Sequence, residues 1–212
     1  MPKEMSALRV LGRVSSINVR KVLWAAAEMG VAVEREDWGK PVRDPNVAEF
    51  LALNPNGMVP VLVDGDFVLW ESGAILRYLA EKFASDLWPS DARERALVDQ
   101  WMTWQATELN PAWSYVGRAR LRNYPPNPDP ARMAESIEAW TKMMHILEGQ
   151  LAKGGGFVVN GRMSLADIVI GLSTHRWHAV AFDKPELPAV DRHYADMRSR
   201  PAGKAWLGAE TP

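Results

Sequence analysis

The dipeptide Glu71-Ser72 combines residue types and spacing that suit ligand binding. It follows an apolar run ending at Trp70 and opens a helical pattern, so it should form a helix N-terminus. Such a terminus presents backbone N–H groups and the positive end of the helix dipole, and Ser72 adds a hydroxyl donor. The chemistry expected here is therefore the capture of an anion such as a carboxylate.

A predicted β-hairpin positions this helix start. Two apolar runs, residues 59–63 and 67–70, flank the turn signal Asp64-Gly65-Asp66 and should pair antiparallel. Pro60 has no N–H to donate, so it belongs at a strand start or in a turn, where a cis bond is an option. A peptide-like ligand could pair with the backbone beside Val59 while its carboxylate binds at Ser72.

The first third of the chain alternates between strand and helix patterns. Residues 8–11 predict a short strand, residues 19–27 a helix, and residues 31–36 a second strand. This spacing is typical of a βαβ unit with parallel strands. With the hairpin and a short helix over residues 46–53, it predicts a four-stranded mixed sheet with helices.

The remainder of the chain shows only helical periodicity. Segment 84–90 contains turn residues, so we place a domain boundary there, giving domains 1–83 and 91–212. The long helical pattern over residues 91–123 should kink or break near Pro111. A second long helix is expected over residues 131–151.

The series N-P-x-G-x-V-P…E-S-x-A-I, from Asn54 to Ile75, resembles the glutathione site of the cytosolic glutathione transferases. The resemblance extends over essentially the whole chain. It implies an α/β thioredoxin-like N-terminal domain followed by an all-α C-terminal domain, with glutathione as co-substrate and no metal. By the same resemblance, the backbone of Val59, before Pro60, pairs with the cysteinyl part of glutathione, and Glu71 and Ser72 hold its γ-glutamyl end.

The loop before the first helix contains the residues that could activate a thiol. A glutathione thiol, with a pKa near ~8.5, must be held as the thiolate to act as a nucleophile. The Ser-x-Asn-Val stretch resembles that of the serine-type transferases related to the plant phi class, which implies that Ser16 stabilises the thiolate and that Asn18 assists. A zeta-like alignment favours Ser15 instead. Either serine could also be a simple helix N-cap.

The resemblance leaves open which residue binds the glycine carboxylate of glutathione. The family often uses a lysine with a histidine or glutamine nearby, but Asn46 and Met58 stand at those positions. Lys40 or Arg43 could supply the cation from a rearranged loop. Trp38 could flank the site or serve in packing.

The electrophile site is expected in the helical domain, facing the first domain. Aromatic and charged side chains on or beside the long helix are candidates: Trp104, Trp113, Tyr115 and Arg118. For Trp104, which shares a face with Trp101, a core position is the favoured interpretation. Trp113 and Tyr115, beyond the proline, are the better pocket candidates.

Composition excludes several classes of function. The net charge of −1 and the lack of Lys/Arg runs argue against a nucleic-acid surface. The absence of cysteine excludes disulfides, thiolate metal sites and a cysteine nucleophile.

His175 and His178 lie three apart, but no carboxylate completes a ligand set, so a structural role is favoured. With neither a signal peptide nor a membrane-length apolar run, we expect a cytoplasmic protein.

Ser164 and Asp167 form the pattern of a capping box before an apolar helix. The following residues are apolar on most sides, so this helix should be buried. The role expected for the box is folding, and Asp167→Ala should cost about 1–2 kcal/mol.

The resemblance thus implies a homodimeric glutathione transferase that conjugates a stabilised thiolate to small apolar electrophiles. Two alternatives stay open at this point. One is glutathione-dependent reduction of peroxides or disulfides at the same site. The other is a protein that keeps the fold and binds glutathione but catalyses little.

Overall fold

A computed structural model describes residues 7–153 and 155–208 of the chain. The chain forms two compact units that divide between Ser85 and Asp86, inside the segment 84–90. The domain ranges 1–83 and 91–212 include residues outside the described part and stay predictions.

Over its described residues, the first unit contains four strands and three helices. In chain order they are β1 (Leu8–Leu11), α1 (Ile17–Glu28), β2 (Val33–Glu36), α2 (Ala48–Leu51), β3 (Val61–Asp64), β4 (Phe67–Trp70) and α3 (Ser72–Lys82). The second strand and the short helix are each shorter than predicted, while the hairpin turn lies at residues 65–66 as expected.

The four strands form one mixed sheet in the order β2-β1-β3-β4. β1 and β2 are parallel, as the βαβ spacing predicts, and β3 is antiparallel to both β1 and β4. This arrangement confirms the predicted thioredoxin-like fold of the first unit.

The two central strands, β1 and β3, carry buried side chains on both faces of the sheet. On one face, Leu11 and Val61 pack with Trp38 and with Phe50 of α2. Because side chains alternate along a strand, the neighbouring Val10 and Leu62 point to the opposite face, where both are fully buried. The two central strands therefore hold the loops at their ends in place.

The described part of the second unit is built of helices, with one isolated β-bridge between Val159 and Arg162. Its elements are α4 (Ala92–Trp104), a π-helical turn (Gln105–Leu109), α5 (Asn110–Arg122), α6 (Pro130–Lys153), α7 (Leu165–Ala179), α8 (Pro188–Ser199) and α9 (Pro201–Trp206). The predicted interruption near Pro111 is present as the π-helical turn, which accommodates a residue that cannot donate an N–H.

The central helix of the second unit is α7, which contacts α4, α5 and α8. It is buried from Leu165 to Trp177, as its nearly continuous apolar pattern predicts. The predicted capping box is present: the Ser164 amide donates to Asp167 Oδ2 at 2.8 Å and the Ser164 hydroxyl at 2.9 Å.

Within residues 7–153 and 155–208, no helix combines the length and the apolar character needed to span a bilayer.

Candidate functional site

The sheet register brings the three predicted binding segments to one end of the sheet. Leu11, the last residue of β1, pairs with Val61, the first residue of β3, and Val61 pairs with Trp70, the last residue of β4. The loop after β1, the Val59-Pro60 dipeptide before β3 and the Glu71-Ser72 dipeptide after β4 therefore share this edge. Residues separated by more than fifty positions in sequence are placed around one site.

Close packing joins the first two segments. Gly12 begins the loop after β1, and a Cβ at this position would lie 2.4 Å from Val19 Cγ2 and 3.2 Å from Val59 Cβ. A side chain here would have to displace one of these neighbours, so glycine allows the loop to lie directly against Val59. The Val59-Pro60 peptide bond is cis.

A buried asparagine supports the turn that presents Val59. Asn54 is almost fully buried, and its side-chain amide donates to the carbonyl oxygen of Met58 at 2.7 Å. Its side-chain oxygen accepts from the backbone N–H of Asn56 at 3.0 Å. The first residue of the N-P-x-G series thus holds the loop, while Met58 itself is exposed.

Glu71 has a backbone conformation that is uncommon for its residue type. Its φ of 70° and ψ of 114° lie outside the regions that side chains with a Cβ prefer. Such conformations cost about 1–3 kcal/mol and concentrate at functional sites. Glu71 is exposed and Ser72 is buried at the first position of α3, so both stand at an open helix N-terminus.

Ser16 occupies the N-cap position of α1, but its side chain makes no capping hydrogen bond. The simple N-cap interpretation therefore does not account for its hydroxyl. Ser15 is exposed in the preceding turn, and Asn18 is half-buried in the first turn of α1. All three candidates lie at the positive end of the α1 dipole, which favours a thiolate.

Both candidate cations have carboxylate partners within the protein. Lys40 Nζ lies 3.1 Å from Asp44, and the Arg43 guanidinium lies 3.0 Å from Glu49. Hydrogen bonding, first from the Asn46 backbone, lowers the pKa of Asp44. A ligand carboxylate would have to compete with these partners for either cation.

Trp38 serves in packing. Its ring is 4.8 Å from that of Phe50, the Arg43 guanidinium stacks over it at 3.6 Å, and almost none of its surface is exposed. This burial argues against the interpretation that Trp38 flanks the site.

The electrophile-site candidates lie on α4 and α5 of the second unit and differ in burial. Trp104 is half-buried and packs edge-to-face with Trp101 at 5.0 Å, which is not the core position we expected for this pair. Trp113 is buried, packs near Trp140 at 6.1 Å and lies under Arg176. This burial favours a packing role for Trp113.

Tyr115 and Arg118 differ in exposure. The Tyr115 hydroxyl accepts a hydrogen bond from the backbone N–H of Asp129 at 2.8 Å, and Arg132 stacks over its ring at 4.3 Å. Arg118 is exposed, with its guanidinium 5.9 Å from the ring of Tyr124. As residues of an electrophile site, both stay predictions.

The histidine pair on α7 packs against a tyrosine. His175 Nδ1 lies 2.7 Å from the Tyr194 hydroxyl, and the His178 ring stacks on Tyr194 at 4.4 Å. Over the described ranges, no three His, Cys, Asp or Glu residues are grouped as they would be around a metal ion.

Three residues of the site region had no predicted role: Gly12, Asn54 and Arg20. The first two carry a recognisable signal, because a glycine after a strand and an Asn-Pro pair both mark tight turns. Arg20 carries none, since an arginine in an amphipathic helix normally faces solvent.

Comparisons with known proteins agree with this arrangement. The model of the glutathione S-transferase N-terminal domain matches residues 6–81. Glutathione S-transferase GstB of Escherichia coli is 32% identical over 194 residues, which covers 90% of this chain and 93% of the relative. The glutathione S-transferase-like protein gedE of Aspergillus terreus is 33% identical, with 84% and 82% covered.

A solved structure shows the same fold over nearly the full length. It is the theta class glutathione S-transferase of Xanthomonas axonopodis pv. citri with glutathione bound, which is 35% identical. The TM-score is 0.91, and the match covers 97% of this chain and 99% of that one.

Proposed function

This chain belongs to the glutathione S-transferase family, and from this membership we propose that it conjugates the glutathione thiolate to small apolar electrophiles. The observation that carries the proposal is the meeting of the Ser16 loop, Val59 and Glu71-Ser72 at one end of the sheet. A similar protein of the same fold is known with glutathione bound.

The tripeptide is held mainly by backbone and helix-terminus groups in this proposal. The backbone of Val59, fixed by the adjacent Pro60, pairs with the cysteinyl residue of glutathione. Ser72 and the first amides of α3 bind the γ-glutamyl carboxylate, because they combine hydrogen-bond donors with the positive end of the helix dipole. The exposed Glu71 carboxylate binds the γ-glutamyl ammonium group.

Ser16 donates a hydrogen bond to the sulfur and so lowers the pKa of the bound thiol. The absence of a capping hydrogen bond from the Ser16 side chain supports this assignment. Asn18 is the second donor or orients the first. Ser15, one residue earlier in the exposed turn, is the alternative donor.

The glycine carboxylate of glutathione is assigned to Lys40, with the exposed Met58 beside it. Lys40 is chosen over Arg43 because its ammonium group is well exposed, whereas Arg43 is stacked on Trp38. Its ion pair with Asp44 is open to solvent and therefore weak, so a ligand carboxylate can replace Asp44.

The electrophile is assigned to the helical unit, at Trp104, Tyr115 and Arg118. The half-buried Trp104 ring offers apolar contact area, and Arg118 offers an exposed cation. Trp113 supports this region from within through its contact with Trp140.

We also propose that the protein acts as a homodimer. β4 is an edge strand, and two of its aromatic side chains, Phe67 and Trp70, are 43% and 37% exposed. Large apolar side chains on an unpaired sheet edge are typical of an interaction surface.

The absorbance of bound glutathione near 240 nm, titrated against pH, tests the proposed chemistry. In the wild type we expect a thiol pKa well below ~8.5, and in Ser16→Ala a return toward that value. Turnover of Ser16→Ala should fall roughly 10²–10³-fold, by analogy with the loss of one oxyanion-hole donor.

Ser15→Ala is the matched control, since it removes a neighbouring hydroxyl from the same turn. If Ser15→Ala loses the low thiol pKa and Ser16→Ala keeps it, the sulfur donor is Ser15. If the wild type binds glutathione without any lowering of the thiol pKa, the protein is a glutathione-binding member of the family without transferase chemistry.

A further inference from the structure

The turn that carries the two serines is closed by one backbone hydrogen bond. The Ser16 N–H donates to the Arg13 carbonyl oxygen at 3.1 Å, so Val14 and Ser15 are the central residues of the turn. The beginning of the loop is fixed to the end of β2 and the residues just after it, because the N–H groups of Gly12 and Arg13 donate to the carbonyl oxygens of Glu36 and Trp38 at 2.8 Å.

A buried arginine holds the tip of this turn. Arg20 lies on α1 one turn after Ser16, and only 5% of it is exposed. Its side chain runs back toward the helix N-terminus, where Nε donates to the Val14 carbonyl oxygen at 2.7 Å. Its backbone N–H donates to the Ser16 carbonyl oxygen at 3.0 Å. One residue therefore fixes both sides of Ser15.

The Val14 carbonyl belongs to the peptide unit that joins Val14 to Ser15. Because a peptide unit is planar, fixing its oxygen also fixes the direction of the Ser15 N–H and restricts the backbone that leads to Ser16. A hydroxyl that donates to a thiolate must be held within a few tenths of an ångström of its productive position.

We propose that Arg20 is a positioning residue of the thiolate site. It orients the Val14–Ser15 peptide so that the Ser16 hydroxyl faces the sulfur of glutathione. This inference rests on the transferase function proposed above and adds to it a residue that does not touch the ligand.

Two substitutions separate the hydrogen bond of Arg20 from its charge. In Arg20→Gln, Nε2 stands at the same number of bonds from Cα as the arginine Nε, so a donor is retained without the charge. Arg20→Met has a similar length but no donor. We expect Arg20→Gln to keep a low thiol pKa, and Arg20→Met to shift it toward ~8.5.

Turnover should follow the same order. We expect kcat of Arg20→Met to fall by about 10–100-fold. This is the loss of activity found in metal enzymes when a residue that only positions a metal ligand is removed, and Arg20 is proposed to act on Ser16 in the same indirect way. The KM for glutathione should change much less, because Val59, Glu71 and Ser72 are untouched. Arg20→Gln should retain most of kcat.

Arg95 provides a matched control for a purely structural effect. Its Nε donates to the carbonyl oxygen of Pro89 at 2.8 Å, again six residues earlier and just before a helix, but in the other unit. Arg95→Met removes the same type of contact, so it should lower the thermal midpoint while leaving the thiol pKa unchanged.

Three results would overturn the proposal. Equal loss of the low thiol pKa in Arg20→Gln and Arg20→Met would show that Arg20 acts through its charge. An unchanged thiol pKa in both variants, or an equal shift in Arg95→Met, would show a structural role only.

If Arg20→Met fails to fold, Arg20→Gln alone decides, since a lost thiol pKa shift there contradicts positioning by the hydrogen bond. A wild type without a lowered thiol pKa would instead refute the proposed transferase chemistry itself.

Discussion

Asp64, at the end of β3, shows how the fold uses a single carboxylate. The Tyr78 hydroxyl donates to it at 2.6 Å, and Lys82 forms an ion pair with it. The hydrogen bonds from Lys82 and then Tyr78 lower the pKa of Asp64. The folded state therefore favours the charged form of this carboxyl group more than the unfolded state does.

This pKa shift predicts a pH-dependent effect of Asp64→Asn. At pH 7 the substitution should lower the free energy of unfolding by about 1–2 kcal/mol. Because the folded pKa is the lower one, the contribution of the carboxylate is fully present above the unfolded pKa of ~3.9 and is lost as the pH falls through the folded value. The difference from wild type should therefore shrink in acid.

Urea unfolding at pH 7 and at a series of acid pH values measures this difference. Asp66→Asn, at an exposed position in the same turn, is the control and should stay within about 0.5 kcal/mol of wild type. A difference between Asp64→Asn and wild type that grows below pH 4 would contradict the prediction.

At this scale the sequence predicts which segments meet at the site, but not the side-chain contacts that hold them. Ser16, Val59 and Glu71-Ser72 were assigned from a motif, and the sheet register brings their segments together. Arg20 could not be assigned, because the role proposed for it depends on a side-chain conformation that directs it back toward the Val14 carbonyl. An arginine with that contact and one in solvent look alike in the sequence.

At the scale of single elements, the start of α7 depends on more than its capping box. Asp167 is fully buried, and besides Ser164 it accepts from the Val158 N–H at 2.9 Å and lies 3.0 Å from His193 Nε2. The carboxylate thus joins α7 to the preceding loop and to α8.

Asp167→Ala should therefore destabilise the protein more than the 1–2 kcal/mol predicted from the box alone. Several buried donors lose their acceptor, which puts the expected loss at about 3–5 kcal/mol. Asp91→Ala is the matched control: Asp91 caps α4 through the N–H groups of Arg93 and Glu94 at 3.0 Å, but it is exposed. Asp91→Ala should therefore lower the free energy of unfolding by only about 1 kcal/mol.

Denaturant unfolding followed by far-UV circular dichroism gives both values. Equal losses for the two variants would mean that the contacts of Asp167 to Val158 and His193 contribute little.

Contacts between distant elements fix helix boundaries that local sequence patterns do not predict. The π-helical turn before Pro111 contains Gln105, whose amide donates at 2.8 Å both to Asn110 and to Ser173 on α7. The start of α8 is capped by Glu148 of α6, which accepts from the backbone N–H groups of Ala189 and Val190. Local patterns cannot reveal a cap that comes from another helix.

At the scale of the whole molecule, the exposed aromatic residues of β4 lead to a test of the dimer. Phe67→Lys places a charge on the edge strand and should weaken self-association about tenfold or more, as loss of a buried aromatic contact does. Ile146→Lys, on α6, replaces a similarly exposed apolar residue and should leave the dimer intact.

Sedimentation equilibrium over a range of protein concentrations measures both variants. A monomeric wild type at micromolar concentration would contradict the dimer, and equal weakening by the two substitutions would place the interface away from β4.

The backbone of Glu71 also has an evolutionary meaning. If selection acted on the main chain alone, a φ of 70° would favour glycine or asparagine at this position. The chain instead carries a residue with a longer acidic side chain, although the left-handed conformation disfavours it. In the proposed function, the γ-glutamyl ammonium group of glutathione is what selects an acidic side chain at position 71, against the preference of its own backbone.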